Sequence, residues 1–232
     1  MAGADPRDAT DFAPALWPTL RIAVADLCWL LGREYSATAA LKLVGDRFQL
    51  TRRQRMAIRR AACAPRDGQR RRARRTEAIA GQRVKIDGFN QIVTTERALA
   101  GGTAFIGQDT AVRDVASVHG TWRRSDGTTR ALDALCRELR GVQLAHWVFD
   151  APISNSGRLA DLTRRTCAAH GVPCRVDLEA RADAALLVAE GVLASADAPL
   201  LDRSPRWTPL AERVLRGAGV DLLDLSTRPV LP

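Results

Sequence analysis

The spacing of apolar residues predicts helices over the first quarter of the chain. Between residues 19 and 35, apolar residues recur at the spacing of one helix face; they are Leu20, Val24, Leu27, Leu30 and Leu31. Ser36 can cap a second helix over residues 36–48, and Thr51 with Gln54 fits a capping box opening a third over residues 52–62. We therefore expect a small all-α module over residues 19–64, after a flexible N terminus over residues 1–18.

From residue 82 onward, short apolar runs alternate with longer amphipathic segments. The runs predict strands over residues 83–87, 102–109, 142–150, 173–179, 190–197 and 220–226. The segments between them predict helices over residues 89–101, 128–141, 156–171 and 207–219. This alternation is typical of an α/β domain with a mainly parallel sheet and helices on both faces, here over residues 82–232. Residues 65–81 hold proline, glycine and charge without an apolar period, which predicts a basic linker.

Three of the predicted strands end in an aspartate, namely Asp87, Asp150 and Asp197. In an open parallel sheet the carboxyl ends of the strands meet along one edge, where ligands bind. Carboxylates gathered there repel one another, and a divalent cation with oxygen ligands, Mg²⁺ or Mn²⁺, relieves the repulsion. We expect a metal site that activates water against a phosphodiester. The alternative for each acid is a turn former or a helix N-cap.

Other polar residues near these strand ends extend the candidate site. Asp114 precedes the helix over residues 128–141, and Asp202 lies on a helical turn shortly after the last strand-end acid, as a further metal ligand. Asn90 can orient the Asp87 carboxylate or a water. His119 is a candidate proton carrier or phosphate contact, with a hydrogen-bonded loop histidine as the alternative.

The loop DAPISNSGR, residues 150–158, places Ser154, Asn155 and Ser156 directly before a predicted helix. Hydroxyls and backbone N–H groups at a helix N terminus can hold an anion such as a phosphate. Simple capping, with Ser156 as the cap, is the alternative.

The net charge of +9 is concentrated in one segment. Residues 52–75 hold eleven arginines and one acid, Asp67, so the rest of the chain is almost neutral. Guanidinium groups fit phosphate oxygens and gain from counterion release, which favours nucleic acid as the partner. A solvated linker is the alternative, because arginine replaces lysine throughout this chain. The candidate phosphate-binding residues are Arg52, Arg53, Arg59, Arg60, Arg70, Arg71 and Arg72.

The remaining composition excludes several classes of protein. A hydrophobic content of 46% is ordinary for a soluble globular protein. We expect no apolar run to reach the length needed to span a bilayer, and the first twenty residues carry three aspartates and three prolines rather than a secretory signal. The five cysteines show no CxxC spacing, against a zinc knuckle or a disulfide framework. We expect a cytoplasmic protein without membrane association, and its oligomeric state stays open.

A strand ending in D-G-x-N (Asp87, Gly88, Asn90), a middle strand ending at Asp150 and a late S-x-D (195–197) resemble the PIN-like and NYN-type metal-dependent ribonucleases. The resemblance covers about residues 82–226 and implies a Rossmann-like (PIN-like) sheet with Mg²⁺ or Mn²⁺ at the strand ends. It implies Asp87, Asp150 and Asp197 as first, central and late ligands, with Asp202 auxiliary. The superfamily's acid on the helix after the first strand has two candidates here, Glu96 and Asp114.

The whole chain also resembles an uncharacterised prokaryotic domain-of-unknown-function family. The stretches that carry this resemblance are YSATAALKLVGDRFQLTRRQRMAIRRAAC, KIDGFN, VRDVASVHG and FDAPISNSG. They span both halves of the chain in order, and they include Asp114 and His119 in the family's pattern.

Three hypotheses follow for the function. The first is a metal-dependent nuclease, with RNA favoured as the substrate, in which the helical module and the basic segment grip the backbone. The second is a non-catalytic protein that binds nucleic acid or a partner on a PIN-like scaffold. The third is a small-molecule phosphohydrolase or nucleotide-binding enzyme, although no glycine-rich dinucleotide fingerprint or Walker loop is present.

Overall fold

The structure, a computed structural model, describes residues 5–115 and 125–226. Its helices are α1 (Asp8–Asp11), α2 (Trp17–Gly32, preceded by a 3₁₀ turn at Pro14–Leu16), α3 (Ala37–Arg47), α4 (Arg52–Ala61), α5 (Pro65–Ala73), α6 (Gly88–Leu99), α7 (Asp126–Glu138), α8 (Ser156–Ala169), α9 (Ala182–Val188), α10 (Ala198–Arg203) and α11 (Leu210–Gly217). Its strands are β1 (Arg83–Asp87), β2 (Ala104–Ile106), β3 (Val112–Asp114), β4 (Leu144–Asp150), β5 (Cys174–Glu179), β6 (Val192–Ala194) and β7 (Leu223–Asp224). The fold is thus mixed α/β with a helical N-terminal part.

A parallel four-stranded sheet in the order β5-β4-β1-β6 forms the centre of the described part of the chain. In its register Ile86 pairs with Trp147 on one side and with Ala194 on the other. The chain leaves β1 toward β4 and β5, then returns to β6 on the opposite side of β1. The strand order therefore reverses between β1 and β6, and a crevice at such a point is where open α/β sheets bind ligands.

Helices cover both faces of this sheet, as predicted. Successive strand residues point to opposite faces. On one face Ile86, Trp147 and Phe149 join a buried core with residues of α6, α7, α8 and α11. On the other face Val148 and Leu193 pack in a second core with residues of α9 and α10. Both faces are apolar because each is covered, the usual condition of a parallel sheet.

The predicted strand over residues 102–109 is a hairpin arm in a second, smaller sheet. Here β2 pairs antiparallel with β3 and parallel with β7, in the order β3-β2-β7. This sheet brings Arg113 and Asp114 to the central sheet's carboxyl edge, where both line a cavity together with Asp150 and Asp197.

The N-terminal helices begin where the sequence predicts. The Ser36 side chain accepts a hydrogen bond from the backbone N–H of Ala39, and Thr51 and Gln54 form the expected capping box. The helices bury Leu20, Leu27 and Ile58 in a core that also contains side chains from distant parts of the chain, namely Phe105, Val115, Leu223 and Leu225.

The predicted linker contains a helix, which corrects that part of the sequence analysis. Pro65 stands in the first turn of α5, where a missing N–H costs nothing. The sequence of α5 shows no apolar period. Ion pairs hold the helix instead, for example from Arg71 to Asp109 and Asp202. The division of the chain into separate domains stays a prediction.

By length and composition alone, one helical stretch of the described residues could cross a membrane, contrary to the sequence analysis. Pro14–Gly32 has a mean hydropathy of 1.3. Part of α2 is buried against the other helices, with Leu20, Val24 and Leu27 in their shared core. A core helix of a soluble protein passes the same test, so this is weak evidence for a membrane span.

Candidate active site at the carboxyl edge of the sheet

Asp87 ends β1 and is also the N-cap of α6. One carboxylate oxygen accepts a hydrogen bond from the Asn90 backbone N–H at 3.4 Å. The other accepts one from the Ser195 hydroxyl at 2.8 Å. Asp87 is thus a helix N-cap, and this role is compatible with a role in a site. One of its oxygens caps α6, while the other faces Ser195, the residue that follows β6.

Gly88 allows the chain to turn from strand to helix under an aromatic ring. A Cβ at this position would lie 2.2 Å from Cε1 of Phe149. Phe149 packs edge-on against Phe89, with the ring centroids 5.4 Å apart. The glycine of the D-G-x-N motif is therefore required by packing, since any side chain would displace Phe149 from the core.

The segment after β6 is fixed by hydrogen bonds from three directions. Ser195, which donates to Asp87, accepts the backbone N–H of Asp197 at 3.0 Å. The Asn90 amide oxygen accepts the Ala196 N–H at 3.0 Å. Arg113 Nε donates to the Ala196 carbonyl at 2.8 Å. The Ser195 hydroxyl thus connects the Asp87 carboxylate with the backbone of Asp197, and the Asn90 side chain helps to hold the same segment.

Burial and neighbouring acids raise the pKa of three acids at this edge. Burial raises the pKa of Asp87 to about 7, and the charges of Asp197 and Asp183 add to the effect. Burial and Asp183 also raise the pKa of Asp150 and of Asp197, which Arg113 partly opposes for Asp197. Like charges in a partly desolvated site favour the protonated form, so Asp87, Asp150, Asp183 and Asp197 act as one electrostatic group, the acid group.

Asp183 is the member of the acid group that the sequence analysis missed. It stands in the first turn of α9, directly after β5, and is exposed. The short α9 was treated as part of a connection. The available signal was the apolar pair Ala182 and Leu186, spaced at i and i+4 after a strand, which predicts a helix starting at the same edge of the sheet.

A cavity of about 750 Å³ opens at this edge, and its walls differ in chemistry. The acidic wall consists of Asp114, Asp150 and Asp197; the basic wall consists of Arg59, Arg60 and Arg113. The lining also contains apolar side chains, namely Met56, Phe89, Val93 and Ile153. Since Met56, Arg59 and Arg60 belong to α4, the N-terminal helical part forms one wall of this cavity.

Glu96 and Asp114, the two candidates for the superfamily's acid on the helix after the first strand, have different surroundings in the structure. Buried Glu96 accepts hydrogen bonds from the Ser125 and Thr128 hydroxyls at the start of α7, so it holds two helices together. Asp114 lines the cavity and accepts a hydrogen bond from the Thr94 hydroxyl at 2.6 Å. Asp114 is therefore the better candidate.

Asp202 is held in a network of arginines. Arg71 donates to both carboxylate oxygens, at 2.8 and 2.7 Å, and Arg70 donates to one at 2.8 Å. Although burial opposes it, these hydrogen bonds lower the pKa of Asp202. Both of its carboxylate oxygens bind guanidinium groups in the structure, and its role as a metal ligand stays a prediction.

Several of the candidate phosphate-binding arginines have structural partners instead. Arg53 pairs with Asp8 and Asp5 near the N terminus. Arg71 is 5% exposed and bonded to two carboxylates, and Arg72 donates to the Gln108 carbonyl. Arg70 likewise pairs with Asp202, so these four arginines have structural partners, and their contact with a phosphate stays a prediction.

Arg59 and Arg60 remain in position for a phosphate contact. Both line the cavity, and Arg59 is exposed. Arg60 Nη1 also donates to the Asp114 carbonyl at 2.7 Å, and burial lowers its pKa. Arg52 is exposed at the start of α4, and its phosphate contact stays a prediction.

The loop over residues 150–158 starts α8. Asn155, with φ of 68°, is the N-cap, and Ser156 is the first helical residue, so Ser156 is not the cap. The Ser156 hydroxyl donates to the Ala151 carbonyl at 3.3 Å. Anion binding by Ser154, Asn155 and Ser156 stays a prediction. His119 lies outside the described residues.

The carboxylate oxygens of the acid group are the kind of ligand that Mg²⁺ and Mn²⁺ prefer, but few of them lie close together. Among the described residues, no group of three or more His, Cys, Asp or Glu side chains is arranged to hold a metal ion. Mg²⁺ binds proteins through one or two carboxylates and keeps several waters. Asp150 and Asp197, which both line the cavity, are carboxylates of this kind, and burial and Asp183 raise the pKa of each.

Two family models match the chain, and together they cover most of it. "Domain of unknown function (DUF5616)" matches residues 76–213, and "Protein of unknown function (DUF434)" matches residues 19–74. The chain belongs to the DUF5616 family. The DUF5616 match contains the acid group and Arg113, and the DUF434 match contains Arg59 and Arg60 of α4.

The comparison with curated proteins adds a relative from an archaeon. The chain is 25% identical over 153 residues to "Uncharacterized protein MJ0935" of Methanocaldococcus jannaschii, covering 65% of this chain and 74% of the relative. No solved structure matches the chain significantly.

Proposed function

We propose that this DUF5616 protein is a Mg²⁺- or Mn²⁺-dependent nuclease that hydrolyses phosphodiester bonds in RNA, on a PIN-like, Rossmann-like sheet. The observation that carries the proposal is that Asp150 and Asp197 of the acid group line one cavity with Arg59 and Arg60 of α4, beside the point where the strand order reverses. Clustered acids favour a bound cation, and the arginines in the same cavity favour an anion. A phosphodiester with a bound divalent ion satisfies both requirements.

The residues of this chain have distinct roles in the proposed reaction. Asp87, Asp150, Asp183 and Asp197 are the residues that would hold the ion, which when bound supplies an activated water and neutralises phosphate charge. Ser195 and Asn90 hold the segment that carries Asp197 against β1. Arg59 and Arg60, which line the same cavity, bind the phosphate. The apolar lining excludes water from part of the cavity and strengthens these contacts.

Cleavage of labelled RNA tests this proposal. Wild-type protein is incubated with single-stranded and structured RNA, with Mn²⁺ or with EDTA, beside Asp87→Asn and Asp183→Asn. Asp161→Asn is the matched control, because this exposed acid on α8 pairs only with Arg164 in the described part of the chain. We expect metal-dependent cleavage that the control retains and the two site variants lose at least a hundred-fold.

The alternative functions predict other outcomes of the same experiment. RNA binding with steep salt dependence and no cleavage by any variant would indicate a non-catalytic binding protein on this scaffold. Hydrolysis of a nucleotide without cleavage of RNA would indicate a small-molecule phosphohydrolase. Cleavage that survives in EDTA would contradict the metal-dependent mechanism.

A further inference from the structure

Arg113 occupies a position on the basic wall that the phosphate-binding hypothesis does not explain. It is 8% exposed, and all three of its guanidinium nitrogens donate within the protein. Nε donates to the Ala196 carbonyl at 2.8 Å, while Nη1 and Nη2 donate to the two oxygens of Asp109 at 2.8 and 2.7 Å. Because its donors are used within the protein, this guanidinium holds the Ala196 carbonyl in place rather than binding a ligand.

A buried network holds Arg113 in place. Asp109 is 1% exposed and also accepts a hydrogen bond from Arg71 Nη1 at 2.9 Å. Although burial opposes it, the two arginines lower the pKa of Asp109 to about 2. Arg71 in turn holds Asp202. Gly107 leaves room for the guanidinium, because a Cβ there would lie 2.8 Å from Arg113 Nη1.

The peptide that Arg113 holds is the one next to Asp197. The Ala196 carbonyl accepts from Arg113, and the Ala196 N–H donates to the Asn90 amide oxygen at 3.0 Å. Two side chains from different elements, β3 and α6, therefore fix the two peptide groups that flank Ala196. Misplacement of a reacting group by about 1 Å costs roughly 10²-fold in rate.

We infer that Arg113, braced by Asp109 and Arg71, is a positioning residue that holds the segment 195–197 so that Asp197 joins the acid group. The inference rests on the proposed nuclease function for its catalytic consequence. The planar fork is essential, since an ammonium group cannot bond Asp109 through two nitrogens and Ala196 through a third. Through Arg71 on α5, the network also makes the site depend on the N-terminal helical part.

Steady-state cleavage of RNA with Mn²⁺ distinguishes positioning from phosphate binding. Arg113→Lys and Arg113→Met should lower kcat about ten- to a hundred-fold with KM within two-fold of wild type. Arg59→Ala should instead raise KM. Full kcat in Arg113→Lys, or a rise in KM alone, would overturn the inference. A double-mutant cycle of Asn90→Ala with Arg113→Lys should be non-additive, because both residues hold Ala196.

Amide hydrogen exchange gives a measurement that requires no catalysis. In Arg113→Lys the amides of residues 195–197 should exchange at least ten-fold faster, while those of β4 stay unchanged. Unchanged exchange at residues 195–197, or equal acceleration in β4, would overturn the positioning role. If wild-type protein cleaves no RNA but this local effect is found, the proposed function fails and the positioning role stands. If Arg113→Lys does not fold, Asp109→Asn takes its place in the experiment, because it weakens the hydrogen bonds between Asp109 and the Arg113 guanidinium.

Discussion

Replacement of Asp87 by asparagine should remove activity and stabilise the protein at the same time. The pKa of Asp87 is raised from 3.8 to about 7, with burial as the main cause. Between these values the folded state keeps a proton that the unfolded state has released. Stability therefore falls as the pH rises through this window, and the loss is complete above pH 7. Asparagine resembles the protonated acid, so it escapes this loss.

The size of the effect follows from the pKa shift. Each pH unit in the window is worth about 1.4 kcal/mol, which sets an upper bound of about 4 kcal/mol at pH 8. Because Asp87 is only partly buried, solvent screening reduces this, and we expect about 2 kcal/mol. The amide oxygen can still accept from Ser195. The amide nitrogen of the new asparagine cannot accept the hydrogen bond from the Asn90 N–H. That bond is long in the wild type, at 3.4 Å, so its loss costs little.

Urea unfolding in EDTA, followed by tryptophan fluorescence, measures this difference. Asp87→Asn should be about 2 kcal/mol more stable than wild type at pH 8, and less than about half of that gain should remain at pH 5. Asp161→Asn on the exposed surface should show no such pH dependence. A variant that is less stable than wild type at pH 8, or equally stabilised at both pH values, would refute the reasoning.

Three further predictions concern the metal, the basic wall and the packing beneath the site. Saturating Mn²⁺ should raise the Tm of wild type by about 5 °C or more and that of Asp197→Asn by much less, as scanning calorimetry would show; equal shifts count against the metal site. Arg59→Ala should weaken RNA binding and reduce the slope of log K against log salt by about 1, and an unchanged slope would place Arg59 outside the interface. Gly88→Ala should cost about 1–3 kcal/mol in urea unfolding because its Cβ meets Phe149, whereas Gly157→Ala, with open space around it, should not destabilise.

Much of the fold is accessible to sequence reasoning because the relevant signals are local. The caps at Ser36 and Thr51 act within one turn, and the apolar runs of β1 and β4 are buried on both faces. The ends of these strands can also be predicted, because each apolar run stops at an aspartate. The acids Asp87 and Asp150 were therefore predicted at the edge where the structure has them.

The remaining features depend on partners that are distant along the chain. α5 has no apolar period, and it is held by Arg71, whose acids lie 38 and 131 residues away. A charge run cannot show whether its arginines face solvent or buried carboxylates. Asp183 was missed because α9 is short. The role of Arg113 was missed because its acceptor, Ala196, is a backbone carbonyl 83 residues away.

The shared core of the N-terminal helices bears on how the chain folds during synthesis. Leu20, Leu27 and Ile58 leave the ribosome long before Leu223 and Leu225, which complete their core. Nascent helices would therefore expose apolar surface until β7 has been made, and contacts so far apart in sequence form slowly. Deletion of the chain from Leu223 onward should consequently harm α2 and α4 most, and a chaperone that shields α2 should raise the yield of folded protein.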